Sequence, residues 1–240
     1  MDGIYNVLSI DWDYFSNATL SQRLRLFPDG GNENIGSLLS NIVWGTRYVS
    51  GELVQTGLDK RALSVLTSVL RKTSPDCLMM VADSHKHAYD FILDSMEEDC
   101  VSHINLVNID FHHDLYDLGD SNLNCGNWLR LLMKDYDSEY DKFSWVKRED
   151  SDTDGVDLSR LQIASIESIK DVEWDLIFVC RSNVWSPPHL DKYFKKAFYP
   201  IACRNMALAE DRIFDSRYPE VSLMARRQKK IMEENHIPVF

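Results

Sequence analysis

The chain has 240 residues, 44% of them hydrophobic, enough to bury a sizeable core and too many for a disordered polymer. Its net charge of -12 excludes the basic face that nucleic acid or an anionic membrane surface requires, while remaining compatible with a cationic substrate. No stretch approaches the roughly eighteen uninterrupted apolar residues of a membrane span, the amino terminus does not read as a secretion signal, and the expected location is cytoplasmic.

Ile4–Ile10 is an apolar run that reads as a strand, and Asp11-Trp12-Asp13 follows it directly. Residues 16–58 read as a long irregular insertion: Phe27-Pro28-Asp29-Gly30-Gly31-Asn32 is turn material, Gly45, Gly51 and Gly57 recur, and only Leu38–Val43 suggests a helix. Asp59 is placed to cap a helix carrying Leu63, Leu66, Val69 and Leu70 on one face, which Ser74-Pro75-Asp76 ends. Cys77–Ala82 reads as a buried strand, followed at once by Asp83-Ser84-His85-Lys86-His87 and an apolar helical stretch, Ala88–Met96.

Ile104–Ile109 is a further apolar strand, and it delivers Asp110, His112 and Asp114 in alternation where it ends. A polar loop, Asp120–Asn124, precedes an expected helix over Cys125–Met133, and Phe143–Val146 reads as a strand. Asp150-Ser151-Asp152-Thr153-Asp154-Gly155 copies the first half of a calcium loop. Leu161 stands where that loop needs a bidentate Glu and Asp157 where it needs an apolar residue, so a solvated acidic turn is the better reading. Trp174–Cys180 is another buried strand with a polar tail, Arg181 to His189; residues 190–215 read as helical pieces, and Glu220–Asn235 as a final helix with Arg226, Arg227, Lys229 and Lys230 on a solvated face.

Five scattered cysteines without a Cys-x-x-Cys pair suggest neither disulfides nor a zinc knuckle, and Cys77 and Cys180 sit in apolar runs as core thiols. Strands alternating with helical patterns imply a three-layer α/β/α fold around a mostly parallel sheet, in one domain over residues 1–240. Such a sheet gathers its strand tails along one edge. That edge would collect Asp11, Asp13, His85, Asp110, His112 and Asp114. Four carboxylates and two imidazoles facing one cleft repel unless cations intervene, and two divalent ions neutralise four carboxylates, so a two-metal hydrolase is expected. Oxygen and imidazole donors suit Mn, Zn or Fe.

Asp110-x-His112-x-Asp114, Asp11-x-Asp13 and Asp83-x-His85 resemble the three metal motifs of the ureohydrolases, the arginase and agmatinase superfamily whose fold extends to histone deacetylases. The motif order differs. Here the Asp-x-Asp strand comes first, as if the chain were permuted about the same sheet. That order, the run Ile10-Asp11-Trp12-Asp13-Tyr14-Phe15 and the doubled His112-His113 look most like the peptide arginases, which convert arginine residues of ribosomally made peptides to ornithine. The resemblance is distributed over residues 7–189 and specific in about twenty of them.

The resemblance implies two Mn2+ ions held by Asp11, Asp13, His85, Asp110, His112 and Asp114, and a bridging hydroxide that attacks a guanidinium carbon. Asp114 would also orient that hydroxide. Asn124, Asn127 and Asn183 fall near substrate-contacting segments. Ordinary arginases carry a proton-shuttling histidine about thirteen residues past the last acid, where this chain has Asn127; His87, His113 and His189 are the candidates to replace it. Glu52 is the candidate acid for the guanidinium. Elements that bind the α-groups of a free amino acid are not recognisable, which favours an arginine presented on a precursor peptide. Alternatives are another ureohydrolase or a deacetylase-type amidohydrolase on a small cation, an aspartate-nucleophile phosphatase using Asp11-x-Asp13 with Mg2+, and a metal-stabilised peptide-binding module without catalysis.

Overall fold

A computed structural model describes residues 3–28, 37–117, 122–153, 156–157 and 159–237. Seven parallel strands form one sheet in the order β5-β4-β3-β1-β6-β2-β7. They are β1 (Ile4–Asp11), β2 (Leu78–Ala82), β3 (His103–Ile109), β4 (Lys142–Val146), β5 (Leu161–Ile163), β6 (Leu176–Cys180) and β7 (Leu208–Ala209). The helices are α1 (Leu20–Leu26), α2 (Ser37–Tyr48), α3 (Lys60–Lys72), α4 (His87–Glu98), α5 (Trp128–Asp135), α6 (Asp191–Arg204) and α7 (Tyr218–Glu234).

The two-residue period of the strands divides the core. Leu8 and Ile10 of β1, with Ile177 and Val179 of β6, pack against Leu66 and Leu70 of α3 and Phe194 and Phe198 of α6. Val7 of β1, with Leu176 and Phe178 of β6, faces the other way, against Ile92 of α4 and Trp128 and Leu132 of α5. The result is the expected three-layer arrangement, with helices on both faces of a sheet whose central strands are apolar on both sides.

Asp59 caps α3 as expected, its Oδ1 accepting the Arg61 and Ala62 amides at 3.0 and 2.9 Å. Residues 16–28 and 37–58 are more regular than the glycines of this stretch suggest, while Asp29-Gly30-Gly31-Asn32 of the expected turn lie outside the described residues. Thr19 and Gln22 form a reciprocal capping box that starts α1. Gly45 lies inside α2, because α7 crosses there: a Cβ on Gly45 would sit 3.0 Å from Met224 Cβ. Trp44 and Tyr48 of α2, Phe27 after α1, and Val221 and Ala225 of α7 make a third cluster. That cluster is tied to the β6 tail, since Trp44 Nε1 donates to the Asn183 carbonyl at 2.9 Å.

Two short strands escape the sequence reading. Leu161, weighed above as a calcium-loop position, opens β5. β7 falls in the stretch read as helical pieces, and only two of its residues join the sheet edge. Asp154 and Gly155 lie outside the described residues, while Asp150 is bound to Arg148 Nε and the Leu20 amide. The cysteines are free, with Cys77 and Cys180 buried. No helix among the described residues is long and apolar enough to cross a membrane.

The close α2–α7 crossing gives a direct check. Gly45→Val should destabilise the protein by about 1–3 kcal/mol, read as a lower urea midpoint with an unchanged denaturant slope, because it overpacks that contact.

Candidate metal centre

Four adjacent strands, β3-β1-β6-β2, deliver the site at their carboxyl ends. Asp11 is the last residue of β1, and its Oδ1 accepts the Asp13 amide at 2.8 Å, which starts a tight turn over Trp12–Phe15 and turns Asp13 inward. Asp110 follows β3 directly and accepts the His112 amide in the same way at 2.8 Å. These two aspartate turns put alternate residues of each tail into one place.

His85 reaches the centre from the β2–α4 connection. Its ring stacks on Phe178 of β6, 5.7 Å between centroids and 9° from parallel, and leans on Trp128 of α5 at 4.8 Å. Nε2 contacts Ser9 Oγ at 2.6 Å. Nδ1 then faces Asp110 Oδ2 at 3.1 Å, Asp114 Oδ2 at 3.2 Å and Asp11 Oδ2 at 3.4 Å. None of these approaches has the direction of a hydrogen bond, and Nδ1 is a buried ring nitrogen without a partner. Four donor atoms converging at these spacings without bonding one another could hold a common cation.

A second set lies beside the first. His112 Nδ1 is 3.2 Å from Asp13 Oδ2 and 3.8 Å from Asp110 Oδ1. Asp110 therefore presents one oxygen to each set. Asp11, His85 and Asp110 form one group of candidate ligands, and Asp13, Asp110 and His112 another. All six metal candidates from the sequence meet here.

Electrostatics point the same way. Burial, reinforced by Asp13 and Asp110, pushes the Asp11 carboxyl up to about 7; burial, reinforced by Asp114, pushes Asp110 up to about 8. Burial opposes charge on His85 and His112, but the surrounding carboxylates outweigh it, raising His85 well above the usual imidazole range and His112 to about 9. Asp13 alone is held below the carboxylate range despite its burial, chiefly by His112 and then by Arg23. Without a cation, Asp11 and Asp110 keep protons that free aspartates lose near pH 4.

Several supporting residues carried no sequence signal. Arg23 of α1 is buried, donates to the Asp13 carbonyl at 2.6 Å and to Asp13 Oδ2 at 3.3 Å, and lies 3.8 Å over the Phe111 ring. Trp128 Nε1 donates to Asp114 Oδ2 at 2.5 Å. Asp114 holds a left-handed backbone, φ 53°, which costs a non-glycine residue about 1–3 kcal/mol and is kept where surrounding contacts demand it. Ser9 showed only its place in the alternation, two residues before Asp11.

A cavity of about 270 Å3 opens onto the cluster. Asp11, His85, His112 and Asp114 form its floor; Asp83 and Asp152 stand on its walls, with Phe111, Tyr116 and Trp185 as the aromatic surface. Asp83 is engaged by Arg181 through contacts of 2.6 and 2.5 Å.

The other candidates separate clearly. Asn183 lines the cavity, with its Oδ1 accepting from Ser40 Oγ and Arg217 Nη1. Asn124 and Asn127 shape the loop before α5: Asn127 Oδ1 accepts the Asn124 amide at 2.8 Å, and Asn124 Oδ1 accepts the Gly126 amide at 2.9 Å. His113 points away from the cavity and packs on Tyr116 and Trp145, its Nδ1 accepting the Leu115 amide; burial lowers it to about 4. His87 opens α4 on the surface, 3.6 Å from Glu210. His189 is bound by Tyr48 and the Thr56 carbonyl. Glu52 is exposed and paired with Arg25 at 2.6 Å. Neither these three histidines nor Glu52 lines the cavity.

Comparison with protein-family models, with curated proteins and with solved structures finds no match to this chain.

The raised groups set a pH dependence. Asp11 and Asp110 bind protons to higher pH in the folded than in the unfolded chain, and the stability contributed by protonated His85 and His112 is lost as pH rises through their raised values. The Asp13 contribution is complete above about pH 5. Metal-free protein should therefore lose stability between about pH 6 and 9, whereas the rise in Tm on adding Mn2+ should grow over that range, because binding displaces protons. Asp110→Asn should abolish the Mn2+-dependent rise without lowering the metal-free Tm at pH 8. Thermal unfolding at pH 6 and pH 8, with and without Mn2+, reads both.

Proposed function

We propose that the protein is a binuclear-metal hydrolase of the ureohydrolase kind, removing urea from an arginine side chain on a peptide to leave ornithine. The observation that carries this reading is the pair of ligand sets sharing Asp110 at the floor of an acidic, aromatic-walled cavity. Asp11, His85 and Asp114 would hold one Mn2+, Asp13 and His112 the other, with Asp110 between them. Two such ions, when bound, would supply Lewis-acid chemistry: a water of lowered pKa and a polarised substrate group.

The rest falls to the chain's own side chains. The carboxylates draw a cation into the cavity, and Tyr116 and Trp185 offer aromatic surface against which a guanidinium can lie while water is displaced. Asp114, fixed by Trp128 and its left-handed backbone, is the carboxylate best held to orient the attacking water. Asp152, which lines the cavity as Glu52 does not, is a candidate acid for an entering guanidinium. His85 is oriented by Ser9, whose hydroxyl accepts Nε2–H and leaves the Nδ1 lone pair toward the carboxylates.

The aspartate-nucleophile alternative fits less well. It needs a lysine beside the acids, and no lysine is among the described residues lining the cavity. It also leaves His85, His112 and Asp114 without a task.

With Mn2+, the protein should release urea from arginine-containing peptides. Asp110→Asn should cut the rate by at least about 100-fold, consistent with loss of a shared ligand, while His87→Gln should stay within about twofold of the unaltered enzyme. A colorimetric urea assay on the variants, with free arginine in parallel, makes the check; phosphatase activity with no urea would overturn the reading.

A further inference from the structure

A second cavity of about 350 Å3 adjoins the first and shares Leu20, Leu24, Phe111, His112 and Trp185 with it. Its far side is built by Phe27, Pro28 and Arg47. The character of the two chambers differs. The first has carboxylates on floor and walls, whereas among the described residues no carboxylate lines the second, whose described lining is apolar apart from His112 and the two arginines.

The arginines are not equivalent. Arg23 is committed to Asp13, the Ala18 and Ser16 carbonyls and the Phe111 face. Arg47, in the last turn of α2, makes no ion pair among the described residues, and its buried Nε has no hydrogen-bond partner among them. A buried guanidinium N–H without a partner beside an apolar wall is costly alone and favourable once an anion reaches it. Leu24, on the shared rim, is 79% exposed on a helix that otherwise turns its apolar side inward.

We infer that the second chamber is a specificity subsite for the residue next to the reactive arginine, and that it selects a carboxylate on an apolar stem, a glutamate, with the stem against Leu24 and Trp185 and the carboxylate on Arg47. This rests on the urea-releasing reading for its kinetic readout only. The protein's overall charge of -12 favours cationic peptides, so preference for an acidic neighbour requires a local cation. The chamber also distinguishes a peptide from free arginine, which has no neighbouring side chain to place there.

The test uses the Mn2+-loaded full chain and fluorescein-labelled peptides carrying one arginine, with Glu, Leu or Lys beside it on one side and then on the other. Kd comes from anisotropy at 4 °C and KM from urea release. On one of the two sides, Glu should bind about tenfold more tightly than Lys, with Leu between, and a Glu moved three residues away should lose the advantage. Arg47→Glu should reverse the order of Glu and Lys in Kd. Leu24→Glu, an exposed rim change that leaves the core intact, should weaken Glu binding about threefold. Equal Kd for Glu and Lys on both sides, or an Arg47→Glu effect identical for all three peptides, overturns the subsite. Tight, Glu-selective binding without urea overturns the catalytic reading and leaves the subsite standing, so the two failures are distinguishable.

Discussion

Buried like charge is the constraint on which this molecule turns. Asp11, Asp13, Asp110 and Asp114 are all nearly inaccessible to solvent at one end of a parallel sheet, and among the described residues one guanidinium, Arg23, is bonded into the group. Removing a carboxylate from water costs several kcal/mol unless charge or hydrogen bonds replace the solvent. Part is replaced by the chain: the amides of Asp13 and His112, the Trp128 indole and Arg23 each donate to one of the four. The remainder is left to protons or to cations. The spacing of the unbonded His85 nitrogen among three carboxylate oxygens fits cations.

The sheet order makes that clustering possible. β1 occupies the centre, so the Asp11 turn touches the Asp110 turn from β3 on one side, while β6 separates it from β2 on the other. His85 spans that gap by lying over Phe178, which gives the β6 strand a structural part in a site to which it contributes no ligand. The same face of β1 places Ser9 beneath His85, so the alternation that buries Val7 toward α4 and α5 also aligns Ser9 and Asp11 with the centre.

Much of this was legible in the sequence because apolar strands ending in Asp-x-Asp, Asp-x-His and Asp-x-His-x-Asp carry both the fold and the ligands in one local pattern. The six metal candidates converge because parallel strands end along one edge. What escaped was set by contacts distant in sequence. Nothing in the sequence sets Arg23 apart, and only the fold brings α1 against Asp13. Trp128 lay within an expected helix with nothing to mark its indole for Asp114. Gly45 suggested a loop, although it serves a helix crossing. His113 was attractive as a shuttle from adjacency alone, yet alternation along the tail sends its ring to Tyr116 and Trp145 while His112 turns to the centre. Glu52 and the loop asparagines were chosen by position in the chain, a weak guide where long connections fold back on themselves.

The account depends on cations occupying two sites that share one carboxylate. Crystals of the protein grown with Mn2+ and measured at the manganese absorption edge test this most directly. Two anomalous peaks are predicted, one against Asp11, His85 and Asp114, the other against Asp13 and His112, each within bonding distance of a different oxygen of Asp110. A single peak that leaves His112 and Asp13 unligated, or no peak at the cluster, would contradict it.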